Sequence, residues 1–193
     1  MATSCANITD NVLLNCQKII SAGANDNLFL LNFDQLATVT RDNTNPNLIE
    51  SFTLNSGAFL YKFQGFNDSV EPRSALVKTR YSANYDHEVT IKLFDNTADL
   101  KEQIDALKLG RVIAVVENNF AGSDDETKFE IYGLNAGLVL EEMERIVADT
   151  ETQGAYNLVL RSSERSKEPN LPATLFDTSI TVTRAFINSL VKP

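Results

Sequence analysis

The sequence has no tryptophan, one histidine and two cysteines among its 193 residues. His87 has no second histidine to join it, so no spacing indicates a multi-histidine metal site or a triad built on a serine or cysteine nucleophile. Cys5 and Cys16 are too few for a disulfide framework and form no Cys-x-x-Cys pattern, so we expect reduced thiols. We therefore predict that the protein is not an enzyme, with no catalytic, cofactor-binding or metal-ligating residue and no cofactor.

Positive charge is also scarce. The chain has 17 Lys and Arg against 26 Asp and Glu, a formal net charge of -9 and a pI of about 4.6. Binding to nucleic acid by neutralising phosphates requires clustered Lys and Arg, and no such cluster occurs. No apolar run approaches the ~20 residues of a membrane span, and the first residues lack the features of a secretion signal. We predict no membrane span.

Four short patterns contain residue types found in chemical sites, and each of them favours a structural role. His87 is predicted to be a structural histidine at the start of a strand. The acidic loop 123–126 lacks the ligand spacing of an EF-hand and is predicted to be a solvated hairpin tip. Gly133 and Gly137 lack the lysine and the helix of a phosphate loop and indicate a bulge or kink. The glutamates within 141–144 are predicted to form a charged loop rather than a catalytic carboxylate pair.

Length and hydrophobic content indicate one domain. With 43% hydrophobic residues, the chain can bury on the order of 70% of its extended surface in one core. Residues 1–193 are therefore predicted to form a single β-rich domain. It includes an N-terminal arm at 1–22, an excursion between strands at 64–85 and a C-terminal tail at 184–193.

The predicted core is the stretch 111–162, which reads as three strands joined by two turns. Residues 112–116 are apolar throughout, which is typical of a central strand covered on both faces. Residues 129–132 and 154–161 alternate, so each strand is predicted to bury one face. The side chains expected inside, unless the opposite faces are buried, are Phe129, Ile131, Tyr156, Leu158 and Leu160.

Periodic patterns predict the other elements. The clearest is one helix at 97–109, with a cap at Asn96 or Thr97 and an apolar stripe that would lie on the sheet. Aromatic and β-branched runs around a turn at 55–57 predict a hairpin over 48–63. Further strands are predicted at 28–33, 87–94 and 178–183, and helical spacing occurs at 8–20 and 184–191.

The excursion at 64–85 shows neither helical nor strand periodicity. It contains Gly65, Pro72 and scattered polar residues, with few apolar anchors. A compact monomer has little reason to carry a loop of this length. We predict that this segment is mobile in an isolated chain and becomes ordered between subunits.

Two motifs carry a resemblance to a known family. Residues 132–138 read Tyr-Gly-Leu-Asn-Ala-Gly-Leu, and residues 154–160 read Gly-Ala-Tyr-Asn-Leu-Val-Leu. They resemble the Tyr-Gly-x-x-x-Gly-Leu and Gly-x-Tyr-x-x-x-Leu strands in virion structural proteins of tailed bacteriophages that infect Bacteroidetes-type hosts. The resemblance covers roughly residues 107–190 and implies no catalytic residues.

The predicted architecture is similar to the tail-tube fold of long-tailed phages: a β-sandwich or barrel with one flanking α-helix and a long inter-strand excursion. The resemblance implies hexameric rings that stack into the tail conduit for DNA delivery, contacts with other tail or head-to-tail proteins, and transient passage of DNA. It implies a virion protein assembled in the host bacterial cytoplasm. It places residues 111–117, 129–138 and 155–161 in the ring-forming sheet, although the chain lacks an unmistakable long glycine-tipped hairpin.

Sheet coverage and charge lead to further expectations. One helix and one chain provide too little cover for both faces of an extended sheet, so neighbouring copies are expected to supply the rest. The inner wall, built from 111–161, is expected to be acidic because a conduit should repel DNA phosphates. The alternatives are another virion component, such as a head-to-tail ring, tail terminator or decoration protein, and a β-sandwich binding module or unrecognised enzyme.

Overall fold

Eleven strands and two helices make up the part of the chain that this computed structural model describes, residues 23–121 and 126–193. The fold is mainly β, as predicted. The strands are β1 Ala24–Asn32, β2 Leu36–Arg41, β3 Leu48–Leu54, β4 Tyr61–Gln64, β5 Val70–Lys78, β6 Ala83–Leu93, β7 Val112–Asn118, β8 Phe129–Tyr132, β9 Leu138–Glu144, β10 Tyr156–Ser162 and β11 Ala173–Leu175, and the helices are α1 Ala98–Leu107 and α2 Ile180–Leu190.

Some predictions concern residues outside this description. They are the two cysteines, the helical spacing at 8–20 and the N-terminal arm at 1–22. Residues 122–125, which include most of the acidic loop, are also outside it.

Strand β7 lies at the centre of the fold, because it pairs antiparallel with β1 along one edge and with β8 along the other. Val112, Ala114 and Val116 face one hydrophobic core. Ile113 and Val115 face a second core on the opposite side of the strand. The prediction of a central strand covered on both faces is therefore confirmed.

Strands β4, β1, β7 and β8 pair side by side and form the central layer. The first core lies between this central layer and a second layer of four strands in the order β9, β10, β6, β5. One residue pair, Val112 with Leu138, joins the second layer to β7. Leu28 and Leu30 of β1 share this core with Val89 and Ile91 of β6, with Tyr156, Leu158 and Leu160 of β10, and with Ile104 and Leu107 of α1. Two such layers packed through apolar side chains form a sandwich.

The second core covers the other face of the central layer. Phe129 and Ile131 of β8 pack there with Phe52 of β3, Leu175 of β11 and Ile187 of α2. Thus the chain itself covers both faces of β7. The expectation that neighbouring copies must supply this cover is wrong for β7, because α2 and the β2–β3–β11 strands provide it.

Helix α1 agrees with its prediction. The Thr97 side chain caps it by accepting a hydrogen bond of 3.2 Å from the backbone N–H of Leu100. Asp99 lies in the first turn, and Ile104 and Leu107 are buried against the first core. The helix therefore lies on the sheet through the predicted stripe.

The predicted hairpin over 48–63 is wrong in its pairing. β3 pairs antiparallel with β2 and parallel with β11, whereas β4 pairs with β1. In the connection between β3 and β4, the backbone N–H of Leu60 donates to the carbonyl of Leu190 at 2.8 Å, and the carbonyl of Leu60 accepts from the N–H of Lys192 at 2.9 Å. Local sequence identified the two strands, but their partners depend on which edges meet in the folded chain.

The strand predicted at 178–183 is also wrong, because helix α2 begins at Ile180. Its β-branched residues favour a strand locally. However, the Ser179 side chain accepts a hydrogen bond of 3.3 Å from the backbone N–H of Val182, and Thr183 and Ile187 are buried one helical turn apart. The helical face predicted over 184–191, within the C-terminal tail, is confirmed by Ile187, which belongs to the second core.

The excursion predicted at 64–85 is not a loop. Most of it belongs to β5 and to the first residues of β6, which pair in continuous antiparallel register. Val70 is buried in the first core, which anchors the strand. The lack of period has a physical cause: most of β5 is not buried on either face, so no alternation is required.

Candidate functional site

The β5–β6 hairpin projects beyond the second layer. The two strands pair from Val70 and Ile91 to Lys78 and Ala83. Strand β10 accompanies β6 only between Glu88 and Leu93. We call residues 73–84 the hairpin arm; at ~3.4 Å per residue, β6 extends roughly 17 Å past its last pair with β10.

The hairpin arm exposes both apolar and basic side chains. Leu76 is 52% exposed and Tyr81 is 87% exposed. Arg73, Lys78 and Arg80 are its charged residues, with no Asp or Glu among them. The hairpin arm thus carries +3, and since the whole chain carries -9, the rest carries -12. Opposite charges of this kind favour contact between a hairpin arm and the surface of another molecule of this chain.

The tip of the hairpin arm is closed by its own hydrogen bonds. The backbone N–H of Thr79 donates to the carbonyl of Ser82 at 2.8 Å, and the hydroxyls of these two residues share a bond of 2.8 Å. The guanidinium of Arg80 lies 5.3 Å from the centroid of the Tyr81 ring. The tip therefore presents a cation and an aromatic ring side by side.

An ion cluster anchors the base of the hairpin arm. The Asp86 carboxylate accepts hydrogen bonds of 2.8 Å from Arg161 Nε and from Lys167 Nζ. Lys167 also donates to the carbonyl of Ser162 at 3.0 Å. Burial acts to raise the pKa of Asp86, but the bonds from Arg161 and Lys167 outweigh it and leave the pKa below its usual 3.8. The ionised carboxylate holds β6 to β10 and to the segment that follows β10.

Glu168 ties the same base to the turn between β8 and β9. Its backbone exchanges hydrogen bonds of 2.7 Å and 2.9 Å with Tyr85. Its fully buried carboxylate accepts from the backbone N–H groups of Asn135 at 3.1 Å and Ala136 at 2.8 Å, and from the Asn135 amide at 2.9 Å. A buried carboxylate with these donors is a fixed structural link.

His87 completes the base, and it lies inside β6 rather than at the predicted start of a strand. It is 1% exposed. The backbone N–H of Gly133 donates to its Nδ1 at 3.2 Å, and its Nε2 donates to the carbonyl of Asn170 at 3.0 Å. This arrangement requires a neutral ring. Burial lowers the pKa of His87 below 6.5, against the opposing effect of the Glu168 charge.

Two other patterns considered in the sequence lie in the turn between β8 and β9 and in β9 itself. Gly133 and Gly137 have φ values of 74° and 76° in the turn between β8 and β9, a kink as predicted. Glu141, Glu142 and Glu144 lie in β9, so the predicted charged loop is wrong. Among residues 23–121 and 126–193, no three His, Cys, Asp or Glu side chains form a group that could hold a metal ion.

A separate cleft of about 320 Å³ opens beside α2. The Glu117 carboxylate accepts a hydrogen bond of 2.6 Å from Arg184 and lies 3.9 Å from Lys128 Nζ. The lining combines amides, charged groups and apolar side chains: Asn25, Asn27, Phe29, Lys62, Glu117, Phe129, Arg184, Ile187 and Asn188. The volume of the cleft lies at the lower end of the range for small-molecule pockets.

Comparison with protein-family models, curated proteins and solved structures finds no match to this chain. No helix in the described ranges is long and apolar enough to cross a membrane. Functional inference therefore depends on the residues and their geometry.

The strand structure of the hairpin arm and the anchoring of its base were not predicted. One signal was present in the sequence: residues 73–84 hold three basic residues and no acidic residue in a chain of net charge -9. The anchors of the base carried no such signal, because Asp86 and Lys167 are far apart in sequence.

Proposed function

We propose that this protein is a self-assembling structural component of a tailed-phage virion. Its copies form closed homomeric rings of six that stack into the tail tube, the conduit for DNA delivery. They assemble in the host bacterial cytoplasm and contact other tail or head-to-tail proteins. The observation that carries this proposal is the hairpin arm, which is preformed, anchored at its base and opposite in charge to the rest of the chain.

Sheet edges also support assembly. Within the described residues, β5 pairs only with β6 and β2 only with β3. Each strand therefore presents one edge of backbone groups without a strand partner. Pairing of such edges between neighbouring copies satisfies these groups, and ring closure removes the edges.

Of the stretch 111–161, in which the inner wall is expected, β7 is buried on both faces and β9 and β10 remain available to line a channel. We assign the wall to the solvent side of the β9–β10–β6–β5 layer. The charge of Arg161 on this side is offset by Asp86, Glu88 and Glu141. The net charge of -9 per chain favours an acidic lumen, which would repel DNA phosphates during passage.

The test combines a concentration series in light scattering with electron microscopy of the purified protein. We expect rings or tubes from the native sequence and monomers from a variant with Leu76→Ser and Tyr81→Ser. Leu109→Ser is the matched control, since Leu109 is 90% exposed but lies outside the hairpin arm. Rings whose hairpin arms touch no other subunit, or a basic inner wall, would contradict the proposal.

Electron microscopy also separates the alternatives within the virion. Stacked rings support a tail tube, whereas single rings favour a head-to-tail ring or tail terminator. Particles that bind only to a preformed capsid favour a decoration protein.

A second candidate function, a β-sandwich binding module, is favoured by the cleft beside α2. Lys62 and Arg184 would attract a small anionic ligand there. Thermal-shift screening against small carboxylates and phosphates tests it. A stabilising ligand whose effect disappears in Arg184→Gln supports the binding module, and no shift with any such ligand contradicts it.

A further inference from the structure

The end of the β9–β10 hairpin forms a second exposed surface with both charged and apolar side chains. We call residues 141–151 the acidic end. It holds five acidic residues and Arg145, a net charge of -4. Met143, Ile146 and Val147 are 50%, 53% and 73% exposed. Exposed apolar side chains beside unbalanced charge are features of a protein contact surface.

The acidic end is ordered by contacts that do not use most of its carboxylates. Arg145 Nε donates to the carbonyl of Gly154 at 2.9 Å, and its guanidinium lies 4.6 Å from the Tyr156 ring centroid. The Asp149 carboxylate accepts from the Thr152 hydroxyl at 2.7 Å, a bond that lowers the pKa of Asp149. Glu142, Glu144 and Glu151 remain exposed.

The hairpin arm and the acidic end lie at opposite ends of the same layer. Strand β10 pairs Tyr156 with Leu93 of β6 and pairs Asn157 with Glu144 of β9. The acidic end therefore lies at the Leu93 end of β6, whereas the hairpin arm ends at Ala83. Ten residue steps separate these ends of β6, roughly 34 Å in a strand. One chain is thus unable to bring its own two surfaces together.

We propose that the hairpin arm of one copy docks on the acidic end of the next copy. The inference rests on the proposed function and names the contact that drives assembly. Lys78 and Arg80 face the glutamates of the acidic end, and Leu76 and Tyr81 cover its exposed Met143, Ile146 and Val147. The charges of +3 and -4 are complementary. Because each copy contributes a different surface to each contact, the association runs head to tail and gives either a closed ring or a stack.

Charge reversal tests the pairing. Lys78→Glu with Arg80→Glu changes the charge of the hairpin arm from +3 to -1, and Glu142→Lys, Glu144→Lys and Glu151→Lys together change that of the acidic end from -4 to +2. Each reversed variant alone should lose the assembled fraction, because its two surfaces then have the same sign. An equimolar mixture of the two should recover assembly, because every contact in an alternating chain joins opposite charges. All five substitutions in one chain should also recover it, because that chain again has one surface of each sign.

The matched control is Asp99→Lys, Glu102→Lys and Asp105→Lys together, which changes the net charge as the acidic-end variant does but lies on the exposed side of α1. Light scattering and electron microscopy measure assembly, and circular dichroism checks folding. If a reversed variant does not fold, Glu142→Gln with Glu144→Gln replaces it, and a partial loss of assembly is expected.

The outcomes separate this inference from the proposed function. If the native protein assembles and the reversed variants assemble equally well, or if mixing them restores nothing, the docking is overturned and the proposed function stands. If the native protein and the control remain monomeric at every concentration and the mixture does not associate, both are overturned.

Discussion

Strands β7 and β5 differ in where their side chains lie. Along β7, every residue from Val112 to Glu117 is buried, whereas along β5 only Val70 is. Both faces of β7 pack against a core of the same chain. Most of β5 instead belongs to the hairpin arm, held by ion pairs and hydrogen bonds at its base. The fold therefore depends on β7, whereas most of β5 presents a surface that is not buried in either core.

The largest expected effect distinguishes these two strands directly. Val115→Asp places an unpaired charge in the second core and should lower the free energy of unfolding by about 4 kcal/mol or more. Leu76→Asp, on the exposed hairpin arm, should lower it by less than about 1 kcal/mol. Urea unfolding monitored by circular dichroism measures both. Similar losses would mean that the hairpin arm is part of the core.

A smaller loss is expected at the base of the hairpin arm. Asp86→Asn removes the ionised partner of Arg161 and of Lys167, whose side chain is only 15% exposed. We expect a loss of about 2–4 kcal/mol, because a partly buried charge loses its partner. Glu88→Gln is the control, with an expected cost below about 1 kcal/mol. Faster amide exchange along 73–84 in Asp86→Asn, but not in Glu88→Gln, would show that the lost stability lies in the hairpin arm. Equal unfolding curves for the two variants would contradict the anchoring role of Asp86.

The neutral His87 makes the base of the hairpin arm sensitive to pH. Since burial lowers its pKa below 6.5 in the folded state, the unfolded chain binds the proton first as pH falls. Its stabilising contribution is therefore complete above pH 6.5 and is lost as the pH falls towards the lowered pKa. The urea concentration at the midpoint of unfolding should therefore decrease as the pH is lowered from about 7.5 to about 5.5. His87→Gln should show a smaller decrease in the urea midpoint over this range. The same dependence of the midpoint on pH in both proteins would contradict the assignment of the effect to His87.

The smallest stability effect is expected at the tip. Leu76→Ser with Tyr81→Ser should change the free energy of unfolding by no more than about 0.5 kcal/mol, because both side chains are exposed. Thermal melts of the variant and of Leu109→Ser should coincide with the native melt. A clear decrease for the tip variant would show that the hairpin arm packs against its own chain.

The sequence was most informative where one side-chain pattern had one physical solution. The continuous apolar run at 112–116 requires cover on both faces, and β7 has it. The stripe ending at Ile104 and Leu107 requires a helix on a surface, and α1 meets that requirement. The alternating runs of β8 and β10 required a buried face, and all five predicted side chains are buried.

Predictions were wrong where local preference and tertiary packing disagreed. The β-branched run at 178–183 favours a strand, but burial of Ile187 and the cap at Ser179 favour a helix. Exposed strands such as β5 and the outer part of β9 have no apolar alternation to detect. The polar residues that hold the hairpin arm gave no local signal either, because Asp86 meets Arg161 and Lys167 only after folding.

The mainly β composition, the central strand, the helix α1 and the acidic balance can all be predicted from the sequence, because each follows from the spacing or number of residues close in sequence. The pairing of strand edges, the cover of the second core by α2, and the position of the hairpin arm and the acidic end at opposite ends of one layer emerge only in the folded chain. These features depend on contacts between residues far apart in the chain. Such contacts form only when burial of the two cores brings those segments together.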